Sequence, residues 1–253
     1  MKETRIIMGM PITMNIPAGD RPLRQAAVKI AEKAFDHFVS VDNRFSTYKY
    51  DSEMSRINRG EHAEDEWSDE MKEIIKLCEN TKKDTDGYFD IVDRQGKLDP
   101  SGIVKGWAIR NAADIIRSAG FGNFLVDAGG DIQAVGKNED GRPWTVGIRD
   151  PFKQDEIVKK VVLDNAAIAT SGTYIRGQHI YDPKDKTADI TDIVSLTVVG
   201  DDIYEADRFA TAAFAMGKAG IDLIERLPGL EGYMIDREGI ATMTTGFYNY
   251  EAP

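Results

Sequence analysis

The chain has 253 residues, 42% of them apolar, enough for one large domain or two interlocked lobes. A formal net charge of −11 with 30% charged residues argues against nucleic-acid and anionic-lipid binding, because both draw their affinity largely from Lys and Arg. One cysteine, Cys78, excludes an internal disulfide and a zinc ribbon, and no apolar run reaches the roughly 18 residues of a membrane span.

Residues 1–15 hold no signal-peptide apolar core, which predicts a cytoplasmic protein, or an exported one whose leader lies outside this sequence. Residues 5–15 read as one strand interrupted by Pro11. Residues 22–39 place Leu23, Ala27, Ile30, Ala34 and Phe38 on one helical face. Ser68 followed by Asp69 and Glu70 is an N-cap with first-turn acids, and it starts a helix to about residue 83. Cys78 shares the apolar stripe of that helix with Met71, Ile74 and Ile75, as a core thiol does. A loop carries Asp86-Gly87-Tyr88-Phe89-Asp90, and a helix over 103–119 stops at Gly120. Strands are expected at 123–128, 144–148, 159–163, 166–170, 194–199, 232–236 and 240–244, with helices at 204–216 and 218–226. Helices crowd the first half and strands the second. The pattern predicts an α+β fold of mostly antiparallel sheets flanked by helices, in a single compact two-lobed unit over residues 1–253.

Four segments could carry chemistry. Asp207 and Thr211, four apart on a helix, put a carboxylate and a hydroxyl on one face; these are hard ligands for Mg²⁺, and equally a solvated face or a cap. Gly102 and Gly106 bracket a helix start that contains Lys105, either an anion site or a glycine-rich helix entry. Val126-Asp127-Ala128-Gly129-Gly130-Asp131 reads as a strand entering a tight turn. Ala169-Thr170-Ser171-Gly172-Thr173, with His179 downstream, could present backbone N–H groups to a phosphate. The P-loop, the three-glycine dinucleotide fingerprint and the G-x-S-x-G elbow are all absent.

In order, these segments resemble the FAD:protein FMN transferase (ApbE) family. Met8-Gly9-Met10 is similar to its opening Met-Gly-Thr, with Met10 in place of Thr. Phe45-Ser46-Thr47-Tyr48, Ser52 to Asn58, Gly87 to Asp90, Asp99 to Gly106, Asp127 to Asp131, Ala169 to Tyr174 with His179, Asp182 and Pro183, and Ala206-Asp207 with Thr211 match further family segments. The resemblance runs from about residue 6 to 248. It implies a Mg²⁺ site formed by Asp207, Thr211 and the carbonyl of Gly102. It implies a flavin pocket lined by Met10, Tyr48, Asp99, Lys105, Thr170, Ser171, Gly172 and His179, with Asp207 and His179 in catalytic roles. The implied reaction cleaves the pyrophosphate of FAD, joins FMN to a Thr or Ser of an acceptor flavoprotein and releases AMP. The alternatives are a Mg²⁺-dependent FAD pyrophosphatase and a non-catalytic FAD-binding protein.

Overall fold

A hairpin opens the chain. In the computed structural model, which describes residues 1–153, 155–173, 181–185, 187 and 189–252, β1 (Lys2–Ile7) and β2 (Met10–Asn15) pair antiparallel. Met8 and Gly9 between them both hold positive φ, the backbone of a tight two-residue reversal. The single strand expected over 5–15 is therefore two strands.

Helix α1 (Arg21–Phe45) starts at Asp20, whose carboxylate accepts the Leu23 N–H at 2.9 Å, with a proline in its first turn. It outruns the expected end because Val41 and Phe45 continue the buried stripe of Phe38. A short α2 (Glu53–Asn58) follows, then α3 (Asp69–Asp84), capped by Ser68 as the sequence predicts, and α4 (Ser101–Ser118). The second half holds β3 (Phe124–Ala128), β4 (Asp131–Val135), β5 (Trp144–Arg149), β6 (Ile157–Leu163), β7 (Ala167–Gly172), β8 (Ile193–Gly200), α5 (Ile203–Ala215), α6 (Gly220–Glu225), β9 (Leu230–Asp236) and β10 (Ala241–Met243). β4 escaped the sequence reading because it is only five residues long and follows at once on the Gly129-Gly130 turn, whose residues were read as the whole feature.

Eight strands form one antiparallel sheet in the order β1-β2-β3-β4-β7-β8-β9-β10, and β5 and β6 form a separate hairpin. The fold is thus α+β with antiparallel sheets, as expected. Strand alternation divides the interior. Val126, Ala169, Val198 and Met234 face a core shared with the helices, whereas Ile132, Ile168, Val199 and Ile235 face a second core roofed by Trp144, Ile148 and Phe247. No helix among the described residues is long and apolar enough to cross a membrane.

Candidate active site

The chemistry-bearing segments meet because α4 and α5 lie nearly in contact where the sheet's first core reaches the β3–β4 turn. Asp202 caps α5, accepting from the Tyr204 N–H at 2.7 Å and the Glu205 N–H at 3.3 Å. The Gln133 side chain of β4 accepts the Ile203 N–H at 3.0 Å and donates to the Asp201 carbonyl at 3.2 Å, pinning the same end of α5 to the sheet. One turn on, Asp207 points at α4. Its Oδ2 accepts the Gly106 N–H at 2.7 Å. A Cβ on Gly106 would stand 2.7 Å from the Asp207 Cβ and 2.9 Å from the Ile203 carbonyl oxygen, so only glycine lets the two helices approach this closely. One further turn along α5, the Thr211 hydroxyl donates to the Gly102 carbonyl at 3.2 Å.

Lys105, on α4 between the two glycines, joins the β3–β4 turn to this pair. Its Nζ is ion-paired with Asp131 Oδ2 and lies 3.4 Å from Asp207 Oδ1. Asp131 Oδ1 accepts the Thr170 N–H at 3.0 Å, and the Thr170 hydroxyl is 2.9 Å from that of Thr197. Both carboxylates are buried, Asp131 at 2% exposure and Asp207 at 3%. Burial raises the Asp207 carboxyl well above the usual carboxylate range; Lys105 and the Gly106 N–H pull it back, and Asp131 pushes it further up. Burial likewise lifts the Asp127 carboxyl, against the Gly130 N–H that donates to it at 2.8 Å.

These groups open into a cavity of about 570 Å³. Met10, Asp99, Gly102, Lys105, Thr170, Ser171, Gly172, Asp207 and Thr211 all line it. The Met10 thioether packs 3.1 Å from where a Cβ of Gly129 would lie, at a turn whose φ of +66° calls for glycine. Tyr48, expected in the pocket, is not part of its wall: it stands 98% exposed in the turn before α2, where no neighbour covers its ring. His179 lies outside the described residues. Several wall residues were not read from the sequence. Met8, Tyr88 and Tyr181 sat inside quoted segments without an assigned role, Val146, Gly147 and Ile148 fell in the strand expected at 144–148, and Arg149 lay just past its end. Cys78 is buried, and burial raises its thiol, so it is an inert core group.

The donors around Asp207 suit a hard cation: one carboxylate, one hydroxyl and one backbone carbonyl, all oxygen. No group of three or more His, Cys, Asp or Glu side chains among the described residues offers an alternative cage.

A profile of the ApbE family matches residues 8–95 and 92–234. The chain is 35% identical over 130 residues to the FAD:protein FMN transferase of Vibrio cholerae, a match covering 48% of this chain and 39% of that protein. With its namesake from Klebsiella pneumoniae it is 30% identical over 165 residues, 62% of this chain and 46% of that one. The chain thus spans less than half the length of these relatives. Against the Haemophilus influenzae protein of the same name, the identity is 24% over 93% of this chain and 88% of the other. The fold is shared with the crystal structure of the ApbE protein from Thermotoga maritima (TM-score 0.86, 22% identity, 100% of this chain and 99% of that one). It is also shared with the flavin transferase ApbE from Vibrio cholerae (TM-score 0.81, 24% identity, 99% of this chain and 98% of that one). With its residues matched by the family profile almost end to end, the chain belongs to the ApbE family.

Proposed function

We propose that this protein is a Mg²⁺-dependent FAD:protein FMN transferase, acting on FAD and on a Thr or Ser of an acceptor flavoprotein. The observation that carries the reading is the meeting of Asp207, Thr211, the Gly102 carbonyl and Lys105 at one end of a cavity of about 570 Å³, a volume typical of ligand sites. The relatives that bear this name support it.

In the reaction, the acceptor hydroxyl oxygen attacks the phosphorus on the FMN side of the pyrophosphate. The bond to the bridging oxygen breaks, AMP leaves with that oxygen, and the hydroxyl proton is released. Bound Mg²⁺ supplies charge neutralisation on the phosphates, and Asp207, Thr211 and the Gly102 carbonyl are the residues that hold it. The chain's own groups do the rest. Gly106 fixes Asp207 Oδ2 through its N–H and leaves Oδ1 turned towards Lys105 and the cavity. Asp207 Oδ1, turned towards the cavity, is the carboxylate oxygen positioned to take the hydroxyl proton. Lys105 balances the buried charge of Asp131 and Asp207. Ser171, Gly172 and Thr170 bring the end of β7 to the same wall.

The deciding experiment incubates the purified chain with FAD and Mg²⁺, with and without an acceptor domain, and follows AMP release and acceptor mass. Acceptor-dependent AMP with a covalent FMN adduct is the expected result. AMP and free FMN without an acceptor would make the protein a pyrophosphatase, and no AMP at all would leave it a flavin-binding protein.

A further inference from the structure

Arg149 is a cation of the cavity wall that the chemistry above does not use. It ends β5, immediately after an irregularity in the β5–β6 register between Ile148 and Arg149. Bulges of this kind re-aim side chains and cluster beside active sites. Trp144 and Ile148 turn into the second core, while Arg149 stays exposed at the cavity. Its guanidinium makes no hydrogen bond or ion pair among the described residues; its field favours the ionised form of Asp127, also in the wall.

The remainder of the wall explains why a cation is needed there. Asp90, Asp93, Asp99, Asp127, Asp131 and Asp207 all line the cavity, and Lys105, the other basic residue of the wall among those described, is committed to Asp131. A dinucleotide with two ionised phosphates enters against that field. A divalent cation offsets it at the Asp207 end only. Away from that end, the unengaged positive charge among the described residues of the wall is Arg149. A guanidinium presents a planar fork that matches two phosphate oxygens at once, and a strand end holds it more firmly than a loop would.

We infer that Arg149 is a phosphate-binding residue of this cavity, which holds the phosphate of the flavin nucleotide and makes the site select phosphorylated flavins over riboflavin. This inference rests on the flavin reading of the preceding subsection and adds to it a residue and a selectivity.

The test is calorimetric titration of FAD, FMN and riboflavin into the wild-type chain, Arg149→Ala and Arg149→Lys, with EDTA and again with Mg²⁺. Thermal unfolding confirms that each variant is folded. Arg149→Ala is expected to weaken FAD and FMN by about tenfold or more, the loss of a charged hydrogen bond, and to leave riboflavin within about twofold. Arg149→Lys, with a point charge and no fork, falls between. Equal FAD affinity in wild type and Arg149→Ala overturns the inference, and so does an equal weakening of FAD and riboflavin, which would place Arg149 on the ring. A wild-type chain that binds no FAD under either condition is a separate outcome: it overturns the transferase reading itself, and the role of Arg149 with it.

Discussion

Asp207 is a buried carboxylate facing Lys105, the hard oxygen ligand of the proposed mechanism, and Gly106 makes its position possible. Replacing Asp207 with Asn keeps the shape and an acceptor for the Gly106 N–H but removes the charge that faces Lys105. Turnover with FAD and Mg²⁺ should fall by at least about 10²-fold, with circular dichroism unchanged; wild-type turnover in Asp207→Asn would remove this residue from the mechanism. Gly106→Ala acts by sterics alone. The added methyl meets Asp207 Cβ at 2.7 Å and a backbone oxygen at 2.9 Å, so it should cost about 1–3 kcal/mol in denaturant unfolding and depress turnover by displacing Asp207. Both residues stood out in the sequence, but as a pair on a helix and a glycine near a lysine. That Gly106 serves Asp207, a hundred residues away, could not be read there, because the contact depends on how two helices cross.

Among the elements, α5 and its anchor on β4 set the site's rigidity. Gln133 satisfies the Ile203 N–H and the Asp201 carbonyl from a buried position. Gln133→Leu leaves that N–H without a partner, and urea unfolding should show a loss of about 1–3 kcal/mol; an unchanged midpoint would mean that water replaces the amide. The packing of α1 on α4 carries a pH dependence. His37 lies beside Phe38 and Trp107, and its Nε2 is buried with no hydrogen-bond partner among the described residues. Burial depresses its pKa below the ordinary value of 6.5. The unfolded chain therefore binds a proton before the folded one does. This contribution to stability is present above about pH 6.5 and is lost as pH falls from there through the folded pKa. Unfolding free energy measured at pH 7.5 and 5.5 should drop on acidification, and His37→Gln should remove that part of the drop. The long periodic helices were legible in advance; α2 and β4 were not, being only six and five residues long.

For the molecule as a whole, the antiparallel sheet holds two cores apart, and the cavity opens where α4, α5, the β3–β4 turn, the end of β7 and the β5 edge converge. A ligand bound there touches several elements at once, so FAD should stabilise the entire fold. At a hundred times its Kd the gain is about 2.7 kcal/mol, visible as a raised Tm, and an unmoved Tm at saturating FAD would argue against this cavity as the flavin site. Local pattern and composition by themselves determined that the chain is a folded, acidic α+β protein. They also determined where its principal helices lie and which short segments could bear chemistry, because periodicity, capping residues and turn glycines act over a few residues. The tertiary structure decided the rest. It turned residues 5–15 into a hairpin, left Tyr48 in solvent and brought Arg149, just past an expected strand, to the cavity wall. It also joined Asp131, Lys105 and Asp207 into one buried charge network. Such contacts link residues far apart in the chain, and their energies exist only once helices and strands have packed.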